Sequence, residues 1–178
     1  MREELKGYGK YFLGTAILTY VLLSIVLKNN KSVLDNLDLA ITITLVLTTI
    51  YSKWLWKYNP FERNPKIYGE YKMTFISTYD NSKRLMDVTI KQDLFSNRIK
   101  MTTKESESES TTSSIITKKD RCELIYTYQN IPNAVERNHS EIHFGTCRFN
   151  IVENKILSGE YYTDRKTTGI IKNIKKVK

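Results

Sequence analysis

Tyr11 to Leu27, YFLGTAILTYVLLSIVL, is a run of 17 residues without a charge, set between Lys10 and Lys28. At ~1.5 Å rise per residue a helix over that run is about 26 Å long, close to the hydrocarbon thickness of a bilayer. A polar stretch with Asp35 and Asp38 follows, read as a turn, and residues 39 to 52 are again uncharged. Trp54, Trp56 and Tyr58 then supply the residues of an interfacial belt. The spacing predicts an N-terminal two-helix transmembrane hairpin in a first domain of residues 1–57, with helices over 11–28 and 38–57. A cleaved signal peptide is disfavoured, because the run exceeds the usual ~7 to 15 residues and no small-x-small site follows it. Arg2, Lys6 and Lys10 precede the hairpin and Lys53, Lys57, Arg63 and Lys66 follow it, against Lys28 and Lys31 in the turn. The positive-inside rule therefore places both termini and the second domain in the cytoplasm, where Cys122 and Cys147 are expected as free thiols. Thr15 with Thr19, and Thr44 with Thr48 and Ser52, recur at four-residue spacing, which suits either a helix contact face or hydroxyls bonded back to their own turn.

In the second domain, residues 58–178, the pattern changes from Ile67 onward to a period of two, broken by Gly, Pro, Asn and Asp clusters. Strands are expected at 67–79, 84–92, 97–104, 110–117, 121–129, 141–151, 155–164 and 168–176, with no helical stretch between them. The fold class is all-β, a small eight-stranded antiparallel barrel or tight sandwich, and a barrel of that size holds one small ligand. Alternation aims Gly69, Tyr71, Met73 and Phe75 inward, and likewise Cys122, Leu124, Tyr126 and Tyr128. It does the same for Gly145, Cys147, Phe149 and Ile151, and for Leu157, Gly159, Tyr161 and Thr163. Buried tyrosine hydroxyls need partners, and a polar aromatic ligand could provide them. Lys104 to Ser114, KESESESTTSS, reads as a low-complexity stretch, with residues 105–110 a loop near the barrel mouth or an edge-strand turn.

The chemistry of this second domain is that of binding rather than turnover. No Gly-rich phosphate loop and no G-x-S-x-G elbow occurs, and both cysteines sit among strand residues, so no catalytic residue is assigned and an enzyme is not indicated. His139-Ser140-Glu141-Ile142-His143 places the acid one position away from a zincin motif on a strand-like flank, so no metal site is assigned. Residues 58–178 hold 21 Lys and Arg against 15 Asp and Glu, a net of +6, which favours an anionic partner. Arg165 in TDRKTTG, with Thr163 and Thr167 or Thr168, could cradle a phosphate, since a guanidinium beside hydroxyls suits a bidentate contact.

Tyr68-Gly69-Glu70-Tyr71, the stretch of Thr103, Ser106 and Ser108, LIYTYQNIP at 124–132, His143-Phe144-Gly145 and LSGEYYTDRKTTG at 157–169 follow the hairpin in order. In that order they resemble the two-transmembrane, β-strand-rich effector family associated with SMODS nucleotidyltransferases, part of the CBASS anti-phage systems. The resemblance implies an effector whose barrel binds a cyclic dinucleotide made by a cGAS-like nucleotidyltransferase. It further implies that the protein forms a homo-oligomer on activation, and that its hairpins, set among inner membrane lipids, disrupt the bacterial inner membrane and cause abortive infection. The cyclic dinucleotide would act as activating ligand, with no cofactor, and no DNA or RNA polymer is expected as a partner. Ring faces and guanidinium groups suit its bases and phosphates. The expected ligand-binding residues are Tyr126 and Tyr128, with Tyr161 and Thr163 beside them, Arg165 for phosphate, and Ser106 and Ser108 at the mouth. The rival readings are a membrane-tethered, lipocalin-like binding protein for an apolar ligand, and a membrane scaffold protein.

Overall fold

The computed structural model describes residues 2–26, 33–118 and 121–177. The chain divides into two units, Met1–Pro60 and Phe61–Lys178. The first unit pairs α1, Arg2–Val26, with α2, Val33–Lys53, and ends in a short 3-10 turn, Leu55–Tyr58. Leu27, Lys28 and Lys31, which bear on the expected turn, lie outside the described residues.

Among the described residues, no helix is long and apolar enough to cross a membrane, so the expected transmembrane hairpin is not supported. Asp35 and Asp38 were expected in a turn but lie within α2, and α2 stops at Lys53 instead of running to residue 57. That confines its uncharged part to residues 39–52, ~21 Å at 1.5 Å per residue against about 30 Å of hydrocarbon. The helical hydroxyls bond back within their own helix, as from Thr19 to the Thr15 carbonyl at 2.8 Å and from Thr44 to the Ala40 carbonyl at 2.7 Å. Ala40, Thr44 and Ser52 are buried, whereas Leu13, Ile17, Leu18, Leu22 and Ile25 of α1 are each more than half exposed.

The second unit is a closed barrel of eight consecutive antiparallel strands, in which β8 returns to pair with β1. They are β1 Gly69–Ser77, β2 Lys83–Gln92, β3 Asn97–Thr102, β4 Ser106–Lys118, β5 Arg121–Pro132, β6 His143–Val152, β7 Lys155–Thr163 and β8 Thr168–Lys176. Period-two patterning produces this wall, because alternate side chains point to opposite faces and the apolar set turns inward. Val88, Ile99, Leu124 and Phe149 meet in its core at 2% exposure or less. At one end the Gln92 amide ties down the incoming chain. Its Oε1 accepts from the Ile67 N–H at 3.0 Å, and its Nε2 donates to the Pro65 carbonyl at 2.8 Å. Ile67, fully buried, packs into the core at that end.

Two expectations about the barrel are corrected by its register. The serine and glutamate stretch is strand, not loop: β4 starts at Ser106 and pairs with both β3 and β5. Its alternation sends Ser108 inward and Glu107 and Glu109 outward, where they lie 3.0 Å from Lys100 and 3.7 Å from Arg98. Leu157, expected inside, is 58% exposed, and Ile156 is buried at 5%. The β6–β7 register shifts between Asn150 and Ile151, and a one-residue shift exchanges the faces of the strand beyond it. Glu153 and Asn154, both at positive φ, form the tight turn that joins the two strands there.

Candidate functional site at the barrel mouth

The turns β1–β2, β3–β4, β5–β6 and β7–β8 gather at the end of the barrel opposite Gln92, and they rim a cavity of about 320 Å³. That volume lies at the lower end of the range typical of small-molecule sites, about 300–1,000 Å³. Met86, Met101, Cys147 and Ile171 give it apolar surface. Phe75, Tyr128 and Tyr161 add ring surface, Phe75 and Tyr161 meeting edge to face with centroids 6.0 Å apart.

Polar groups crowd the rim. The Ser108 hydroxyl donates to Asn130 Oδ1 at 2.7 Å, joining β4 to β5. Thr163 and Thr167 share a hydroxyl contact of 2.7 Å across the β7–β8 turn, and Lys166 there adopts φ 60°. This tight turn carries Arg165, whose Nη1 donates to the Ser140 hydroxyl at 2.9 Å. Arg84 stands on the rim from β2 and bonds to Asp80 and Glu105. Burial pushes the Tyr128 hydroxyl well above the usual tyrosine range, so it stays neutral and available to donate. Burial also raises Tyr161, opposed by the Ser77 hydroxyl and the Arg84 guanidinium.

Of the residues expected from sequence, Tyr128, Tyr161, Thr163, Arg165, Ser106 and Ser108 all line this cavity. Tyr126 does not. It is 1% exposed, donates to Met101 Sδ at 3.0 Å, and packs against the rings of Tyr128 and Phe149. Arg84, Asn130, His139 and His143 line the cavity without having been singled out as ligand residues. For Arg84 a signal existed, since it shares the alternation of Met86, Val88 and Ile90. His139 comes from the β5–β6 connection, where no periodicity operates. Among the described residues, no three His, Cys, Asp or Glu side chains gather as a metal ion would require.

A closed antiparallel barrel with a cavity at one end, lined by two arginines, two glutamates and aromatic rings, has the form of a small-molecule receptor. Comparison with known proteins agrees, residues 62–175 matching the family described as Cap15, cyclic dinucleotide receptor domain. The chain belongs to this CBASS effector family and carries its cyclic dinucleotide receptor domain. It is 32% identical to CD-NTase-associated protein 15 of Staphylococcus schleiferi over 149 residues, covering 82% of this chain and 81% of the relative. It is 25% identical to CD-NTase-associated protein 15 of Escherichia albertii over 192 residues, 99% of each chain.

Proposed function

We propose that the barrel is the sensor of an antiviral effector and that a cyclic dinucleotide, entering the open mouth, is its activating ligand. The observation that carries this reading is the convergence on one cavity of Arg84 and Arg165 with Tyr128 and Tyr161. Two guanidinium groups suit two phosphates, and tyrosine rings suit bases by stacking or edge contact. The same arginines weigh against a lipocalin-like carrier of apolar ligands, whose interior would hold no such charge.

Oligomerisation is the next step of the proposal. A ligand shifts an assembly equilibrium by binding the assembled form more tightly than the monomer. The helical unit carries the apolar surface that such an assembly would concentrate, with Leu13, Ile17, Leu18, Leu22 and Ile25 exposed on α1 and Leu45, Val46 and Leu47 on α2. Exposed apolar surface on this scale marks an interaction site. Acting together on inner membrane lipids, these surfaces would disrupt the bacterial membrane and stop growth before phage release.

The test is calorimetry of the full chain against cyclic dinucleotides carrying every pairing of the four ribonucleobases, with light scattering on the same samples. One ligand per barrel and a ligand-dependent rise in mass are expected. A folded chain that binds none of the panel overturns the receptor reading, and binding without a change in mass overturns the assembly step. In cells, removal of residues 1–60 is expected to abolish growth arrest on activation, and arrest by the remaining barrel would overturn the role given to the helices.

A further inference from the structure

Arg84 occupies the inward row of β2, where the next members at two-residue spacing are the buried Met86, Val88 and Ile90. A guanidinium on such a row is costly unless charged partners meet it. Two do. Its Nη2 lies 2.7 Å from Asp80 Oδ2 and its Nη1 3.2 Å from Asp80 Oδ1, while its Nε lies 3.3 Å from Glu105 Oε1 and 3.2 Å from Oε2. The Ser82 hydroxyl accepts from the same guanidinium, and the Phe75 ring lies beneath it, 6.0 Å from Cζ to centroid. The acids come from two different turns of the mouth, Asp80 from β1–β2 and Glu105 from β3–β4. Arg165, the other arginine of the cavity, instead bonds the neutral Ser140 hydroxyl. One guanidinium therefore faces the cavity with a neutral partner, and the other holds Asp80 in the fork geometry that a phosphate also takes and meets Glu105 through Nε alone.

The two acids are held unequally. Asp80 grips both terminal nitrogens and is one-third exposed, whereas Glu105 meets the Nε side and is half exposed. The backbone around Glu105 is tied independently, since the Asn133 N–H donates to the Glu105 carbonyl and Asn133 Nδ2 to the Lys104 carbonyl, each at 2.8 Å. The Glu105 side chain can thus leave Arg84 without moving its turn. We propose that Arg84 is the second phosphate-binding group of the barrel, and that Glu105 is an internal anion which a ligand phosphate displaces, Asp80 remaining to hold the guanidinium in place. This rests on the receptor reading above, and it makes the affinity for ligand a competition between a phosphate and a carboxylate built into the chain.

The experiment is calorimetry of full-chain variants with the tightest-binding member of the cyclic dinucleotide panel. Arg84→Ala is expected to weaken binding about tenfold to a hundredfold, the range for a charge-assisted hydrogen bond. Glu105→Gln is expected to tighten binding roughly threefold to tenfold, by removing the competitor. The double variant Arg84→Ala/Glu105→Gln should match Arg84→Ala alone. A gain from Glu105→Gln that persists in the Arg84→Ala background would show plain relief of repulsion and overturn the displacement. Unchanged affinity in a folded Arg84→Ala chain overturns the phosphate role. Should Arg84→Ala fail to fold, Glu105→Gln alone decides, since unchanged or weaker binding contradicts the proposal. A wild-type chain that binds none of the panel removes the receptor reading itself, an outcome distinct from wild-type binding with indifferent variants.

Discussion

Gly145 on β6 stands directly across from Tyr128 on β5, and a Cβ at Gly145 would lie 2.5 Å from the Tyr128 hydroxyl oxygen. The tyrosine ring thus lies over the space a side chain would fill, and the glycine lets it lie flat along the wall of the cavity. Gly145→Ala is expected to push the end of Tyr128 into the cavity. Because that ring borders open space, stability should fall by about 1 kcal/mol, the low end for overpacking. Ligand affinity should fall more steeply, by about tenfold or greater. Calorimetry beside urea denaturation checks this, and a proportionate loss in both would count against it.

Tyr126 and Tyr128 are neighbours on one face of β5 but differ in what their hydroxyls meet. Tyr126→Phe removes a donor to Met101 Sδ deep in the wall, so the expected loss is about 0.5 kcal/mol, with ligand affinity unchanged. Tyr128→Phe is expected to leave stability nearly unchanged and weaken ligand binding. Calorimetry on the pair separates them, and equal effects on affinity would contradict the geometry.

Ile156→Ala should cost about 2–5 kcal/mol, the usual penalty for a core cavity, because Ile156 is 5% exposed. Leu157→Ala, next in the chain but facing solvent, should change stability by no more than about 0.5 kcal/mol. Urea midpoints of the two variants check the register of β7, and the opposite ranking would place the bulge elsewhere.

Burial pushes the Cys147 thiol from 9.0 up to about 12, and the Tyr71 hydroxyl from 10.0 up to about 12. Burial raises Tyr126 and Tyr128 as well. An unfolded chain releases these protons at lower pH than the folded one, so the unfolded state binds fewer protons there and stability falls with rising pH. The contribution is complete below about pH 9 and is lost towards about pH 12. Urea midpoints at about pH 8 and about pH 10.5 should show the decline, and Cys147→Ala should flatten it in part. A midpoint that holds steady across this range would contradict the burial of these groups.

The barrel was legible because period-two alternation runs through most of its strands, and β2 and β5 keep one face apolar along most of their length. Ser106 to Ser110 was harder to read, since serine and glutamate alternate there without an apolar member. Strand pairing is settled instead by neighbours on the preceding strand β3, such as Lys100 and Arg98, which no pattern inside the stretch itself shows. Leu157 was misplaced by a bulge that no local pattern announces. In the site, tyrosines and Arg165 could be found from facing and motif. Arg84 was passed over although it kept the inward alternation, because a charge on an apolar row reads as an exception until its carboxylate partners are seen. The helices were legible as helices, but the reach of α2 was overestimated by continuing it through Trp54 to Lys57, where the chain changes to a 3-10 turn.

Since β8 returns to β1, every strand of the wall has a hydrogen-bonded neighbour on both sides. The wall closes on itself as a hoop, although β3 pairs only with Glu107, Ser108 and Glu109 of β4, so β4 beyond them has its strand neighbour on the β5 side alone. The hoop stiffens the receptor. A molecule arriving in the cavity can reposition the turns at the mouth at little cost, whereas spreading the staves would break a ladder that runs the whole way round.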